Sequence, residues 1–163
     1  VDGLWLVGGR RAQRLDGGEI EGAGVVFGAR VGLVDQRAVS GGGGVCVQGT
    51  PGADIVAGLA PLPEEQVVVK RRFSAFFGTD FDQRLRRAGV STLVLAGTQY
   101  PNCVRGTAAD ALYRDYRVVV VTDACSAQSE EVASANIRDM AAMGMACVEL
   151  CGLDAALASG KGD

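Results

Sequence analysis

Cys103 closes the segment Gly97-Thr98-Gln99-Tyr100-Pro101-Asn102-Cys103. An apolar run at residues 92–96 precedes this segment. A helical pattern follows it, with Val104, Ala108 and Leu112 at i, i+4 and i+8. That order puts the thiol near the N-terminus of a helix, where the partial positive charge favours a thiolate. Free backbone N–H groups at the same point can hold a developing oxyanion. A cation near the sulfur would favour the thiolate further, and Lys70 ends another apolar run, residues 67–69. These residue types fit nucleophilic attack on a carbonyl carbon. They also fit a plainer arrangement, a small buried cysteine packed at the start of a core helix.

Composition narrows the chemistry. The chain has 163 residues and no histidine. Ser-His-Asp and Cys-His systems, HExxH metalloproteases and His-containing zinc sites are therefore excluded. Five cysteines occur without a CxxC pair; Cys147 and Cys151 are spaced CxxxC, and no second pair completes a zinc site. The reading is reduced cysteines in a cytoplasmic protein, with no metal and no cofactor. Val1 in place of Met leaves organellar targeting open, because the N-terminus reads as incomplete. The net charge of −3 comes without a basic stripe, so no nucleic-acid partner is expected. Apolar runs such as residues 118–121 are far shorter than the ~20 residues a membrane span needs.

The elements that must position Cys103 and Lys70 alternate in type. Residues 50–59 read as a helix opened by Thr50-Pro51. Residues 67–70 read as a strand, and residues 79–87 as a helix with a capping box at Thr79 and Asp82, ended by Gly89. A strand at 92–96, a helix at 102–113, a strand at 118–121, a helix at 130–143 ended by Gly144 and a strand at 146–150 follow. Short links between them predict an α/β domain with a parallel sheet. Residues 152–163 read as a frayed C-terminal tail.

Residues 1–45 read differently. Fifteen of the 24 glycines lie in residues 1–52. Residues 4–7, 25–27 and 31–34 are short strand candidates, and Gly41 to Gly44 has the composition of a flexible linker. Gly22, Gly24 and Gly28 miss the GxGxxG spacing by one residue, which disfavours a dinucleotide site.

Several segments carry a family resemblance. Residues 67–80 (VVVKRRFSAFFGTD) resemble the lysine segment of the isochorismatase-like cysteine hydrolases, and residues 97–104 resemble their nucleophile loop. Residues 110–112, 117–124 (RVVVVTDA) and 50–61 resemble other stretches of that family, in the same order. The resemblance covers about residues 46–151, and the Gln-x-Pro-Asn-Cys form is similar to a metal-free, nicotinamidase-like plant and bacterial branch. Some of its members are described as inactive.

What the resemblance implies is a three-layer α/β/α Rossmann-like fold with a mainly parallel sheet and a Cys-Lys-Asp triad. Cys103 would attack the carbonyl, Lys70 would stabilise the thiolate, and the N–H groups of Gln99 and Cys103 would form the oxyanion hole. A cis peptide would fall at Thr98-Gln99. Phe73, Phe76, Tyr100 and Asn102 would line the substrate pocket. The substrate would be a small amide or ureido compound, cleaved at a C–N bond. Members that cleave isochorismate lack the cysteine, and the metal-binding nicotinamidases use a His-rich site that this chain cannot supply. The family often forms dimers or larger assemblies.

One departure matters. The family's base is an aspartate in an N-terminal Asp-x-Gln strand, the central strand of the sheet. Leu33-Val34-Asp35-Gln36 is a faint echo, and Asp35 lies closer to Lys70 than the family's spacing. The expectation is that this N-terminal strand is missing or degraded. The alternative function is then a catalytically incomplete paralogue or fragment that keeps the fold and binds a ligand or its own copies.

Overall fold

In this computed structural model the described residues are 3–7, 11–13, 19–21 and 26–31, as backbone strands, and 51 and 66–159 in full. In chain order the strands are β1 (Gly3–Val7), β2 (Arg11–Gln13), β3 (Glu19–Glu21), β4 (Val26–Val31), β5 (Gln66–Lys70), β6 (Thr92–Thr98), β7 (Arg117–Ser126) and β8 (Ala146–Val148). The helices are α1 (Phe81–Arg87), α2 (Arg105–Leu112), α3 (Glu130–Ala142) and α4 (Leu153–Ala158). Six strands form one sheet in the order β5-β4-β1-β6-β7-β8, and β2 pairs with β3 separately.

β4 and β5 are parallel, as are β6, β7 and β8. β1 runs antiparallel to both β4 and β6. The other five strands therefore point one way and end at a common carboxyl edge. The sequence leaves the centre of the sheet without a matching strand; β1 fills it, and covers edges of β4 and β6 that would otherwise lie open. The strand expected at 25–27 is part of β4, which runs on to Val31, and residues 32–34 of the second expected strand lie outside the described residues. Residues 32–45, with Asp35 and the glycine run, lie outside the described residues, as does most of the helix expected at 50–59.

The pleat sorts side chains to two faces. Leu93 and Leu95 of β6, Val118 and Val120 of β7, and Val68 of β5 join one core cluster with Phe81, Leu85, Ala108, Ala111 and Met140 from α1, α2 and α3. Val94, Val119 and Val121 point the other way and pack with Leu153 of α4. Two apolar faces need cover on both sides, which is why these strands read as unbroken apolar runs. The result is the three-layer, mainly parallel arrangement expected from the sequence.

Helix ends follow the glycines. Gly89 (φ 68°) and Gly144 (φ 94°) adopt the left-handed conformation just past α1 and α3. Val90 N–H then donates to Leu85 O, and Met145 N–H to Met140 O, each at 3.0–3.1 Å. The start of α1 differs from the expected capping box. Asp80 is the cap position and makes no side-chain cap bond. Thr79 Oγ1 instead accepts from Phe81 N–H (3.3 Å) and donates to Ala75 O.

The tail expected from residue 152 is ordered through residue 159 as α4. Leu153 is buried, and the Arg117 guanidinium donates to Ala156 O and Leu157 O at the carboxyl end of this helix. Among the described residues no helix is long and apolar enough to cross a membrane.

Candidate active site

β6 runs into the site. The Thr98–Gln99 peptide bond is cis. A single turn of π-helix, Tyr100–Val104, follows and leads into α2. The expected helix start at 102 is thus a wider turn first and an α-helix from 105. Pro101 has no N–H to give, and Gln99 O accepts from both Asn102 N–H and Val104 N–H at 3.2 Å. Cys103 sits inside this turn, 3% exposed and not in a disulfide. Tyr100 anchors the turn from below: it is 1% exposed and its hydroxyl donates to Thr122 O at 2.7 Å. Burial, with Cys125 close by, holds that hydroxyl protonated well above the ordinary tyrosine range.

Lys70 reaches the same edge of the sheet from the far side of β1. Val68 pairs with Ala29, Ala29 with Leu4, and Leu4 with Gly97. Lys70 is two residues beyond Val68, and Gln99 two beyond Gly97. Three strand spacings of about 4.8 Å separate β5 from β6, roughly 14 Å in all. Lys70 shares a face with Val68, the face covered by α1, α2 and α3.

The loop after Lys70 narrows that gap. Lys70 Nζ is fully buried and donates to Arg72 O (3.0 Å) and Phe73 O (2.5 Å). The carbonyls it holds belong to a segment that lies on the start of α2. A β-carbon built on Gly106 would stand 3.5 Å from Phe73 Cβ and 3.6 Å from Ser74 N. Next to it, Ala75 N–H donates to the buried Thr107 Oγ1 at 3.1 Å. The lysine segment and the cysteine helix are therefore clasped together three to four residues past Cys103.

Two residues that sequence reasoning missed support the cis bond. Ser126 Oγ donates to Thr98 Oγ1 (3.1 Å), and Gln128 Nε2 donates to Gln99 Oε1 (2.9 Å). The available signal was their place at and just past the carboxyl end of β7, beside the end of β6. The other sequence candidates separate. Asn102 and Phe73 are half-buried. Phe76 belongs to the core, with its ring 5.0 Å from Phe81 and 6.0 Å from Tyr116. Tyr100 also belongs to the core. Asp123 Oδ1 accepts from Leu150 N–H at 2.9 Å, a structural contact. Asp35 lies outside the described residues.

A second thiol offers a contrast. Burial pushes Cys125 up to about 11, against weaker opposing hydrogen bonds from Gly97 and Tyr100. Burial also raises Cys147. Among the described residues no group of three or more His, Cys, Asp or Glu side chains could hold a metal.

Comparisons with known proteins fit this geometry. A probable inactive nicotinamidase of Arabidopsis thaliana is 46% identical over 104 residues, 63% of this chain and 53% of that protein. A maleamate amidohydrolase of Pseudomonas putida is 35% identical over 94 residues, 58% of this chain and 44% of that protein. A solved isochorismatase family protein of Desulfovibrio vulgaris is 65% identical, covers 72% of this chain and 62% of its own, and superposes with a TM-score of 0.69. The chain spans about half the length of these curated relatives. The isochorismatase domain matches residues 28–150, a span that takes in nearly all of the segment carrying the motifs. With three quarters of its length inside that match and the fold in agreement, the chain belongs to the isochorismatase family.

Proposed function

We propose that this protein is a metal-free cysteine hydrolase that cleaves a C–N bond of a small amide or ureido compound. The observation that carries the reading is the clasp between the Lys70 loop and the start of α2. It joins a buried ammonium and a buried thiol on one edge and one face of the sheet.

In this reading Cys103 Sγ, as the thiolate, attacks the carbonyl carbon. Lys70 favours the negative charge at that sulfur. The N–H groups of Gln99 and Cys103 receive the oxyanion. The tetrahedral intermediate expels the amine, which leaves with a proton, and water then hydrolyses the acyl- or carbamoyl-enzyme. A base must take the thiol proton and later activate that water; Asp35 is the carboxylate assigned to it. Half-buried Asn102, within the turn Tyr100–Val104, and half-buried Phe73, against the start of α2, are the pocket residues. The four described cysteines form no disulfide with one another.

The relative described as probably inactive favours a second reading, in which the fold binds a ligand without turnover. One experiment separates them. Ammonia release is followed over a panel with maleamate and small ureido acids, for the wild type and Cys103→Ala. The hydrolase reading expects turnover that falls by on the order of 10⁶-fold in the variant. No turnover from the wild type would favour the second reading.

A further inference from the structure

Among the described residues one buried side-chain polar atom lacks a hydrogen-bond partner, Oδ1 of Asn136. Asn136 lies on α3, 7% exposed, and its Nδ2 donates to Val132 O at 2.8 Å. That bond fixes the amide's orientation, because an amide oxygen cannot donate to a carbonyl. Burying an acceptor without a donor destabilises a fold, and native chains keep few such atoms.

The position of Asn136 relates it to Cys103. α2 links β6 to β7 and α3 links β7 to β8 on the same face, so the two helices run in one direction. Two contacts fix their relative height. Gln128, just before α3, bonds Gln99, and Asp139 pairs with Arg105. The turn Tyr100–Val104 lies between Gln99 and Arg105. Asn136 lies between Gln128 and Asp139, one helical turn before Asp139, as Asn102 is one turn before Arg105. On the wheel of α3, Asn136 falls between Met140 in the core and Asp139, which faces α2. Its buried side therefore faces the nucleophile turn.

We propose that Asn136 Oδ1 is the acceptor that orients the N–H2 group of an amide or ureide held at Cys103; this rests on the hydrolase reading above. A carbonyl under attack by the thiolate carries its nitrogen on the adjacent bond. An acceptor for that N–H2 turns one face of the carbonyl toward the sulfur. It also selects against esters and N,N-disubstituted amides, which would leave the buried oxygen unpaired.

Alkylation of Cys103 tests this without requiring turnover. The thiolate displaces iodide from iodoacetamide, which carries an N–H2 group, or from N,N-dimethyl-iodoacetamide, which carries none. The rate ratio is normalised to the ratio found for glutathione. The wild type is expected to prefer iodoacetamide by about tenfold. Asn136→Leu, close in size and apolar, is expected to lose the preference while the unliganded protein melts no lower. An unchanged ratio in Asn136→Leu, or no preference in the wild type, would overturn the proposal. If Asn136→Leu fails to fold, Asn136→Ala is read in the same way; failure of both to fold makes Asn136 structural and also overturns it. A Cys103 inert to both reagents instead sinks the thiolate reading, and this proposal with it.

Discussion

On one side of β1 the cysteine strand β6 lies between two strands, and Leu93, Val94 and Leu95 are all buried. The turn that follows is held by its own half of the molecule. Gln99 O accepts two N–H groups, Tyr100 reaches Thr122, and Ser126 and Gln128 reach Thr98 and Gln99. On the other side the lysine strand β5 is an edge strand, paired only with β4 among the described strands. Val69 is 53% exposed there. The segment after Lys70 takes its anchorage from the opposite half, through Thr107 and the bare backbone of Gly106. The difference teaches that nucleophile and cation are not equally secure. The thiol is placed by local structure, whereas the ammonium is placed by a contact that crosses the sheet.

Breaking that contact should have the largest effect. Thr107→Val keeps the side-chain shape but leaves Ala75 N–H buried without an acceptor. We expect a loss of about 1–3 kcal/mol in urea unfolding, with slower alkylation of Cys103. A local change on the cysteine side should do less. Gln128→Ala removes one exposed bond to Gln99, worth about 1 kcal/mol. Thermal melting should stay close to wild type, while alkylation of Cys103 slows by about fivefold. The smallest effect tests how close the clasp is. A methyl on Gly106 meets Phe73 at an ordinary contact distance. Gly106→Ala should therefore keep the alkylation rate and gain up to about 1 kcal/mol from helix propensity. A marked loss of stability would mean that the two segments lie closer than that.

Much of the cysteine half was legible in the sequence. The strands from β5 onward, the glycine stops at Gly89 and Gly144, and the order of motifs around Cys103 all carry local signals. The π-turn was not legible, because a widened turn has the same apolar spacing as an α-helix over so few residues. The clasp was not legible either. Thr107 and Gly106 read as unremarkable helix residues until a segment 32 positions away along the chain is laid against them. α4 was missed because it is only six residues long and half alanine, and its order comes from Leu153 and Arg117. β1 was visible as an apolar run, but its direction and its central place are set by strand partners, which no local pattern encodes.

The central claim is that Lys70 and Cys103 act as a pair across the sheet. Cysteine-by-cysteine alkylation by iodoacetamide at pH 7, read by mass spectrometry in the wild type and Lys70→Met, tests it most directly. Cys125 supplies the internal standard. With its thiol pushed up to about 11 by burial, roughly one molecule in 10⁴ carries the thiolate at pH 7, and its rate should rise about tenfold per pH unit toward that value. We predict that Cys103 reacts at least ~100-fold faster than Cys125 at pH 7, and that Lys70→Met slows Cys103 about tenfold or more while leaving Cys125 unchanged. A Cys103 no faster than Cys125, or one indifferent to the loss of Lys70, would contradict the account.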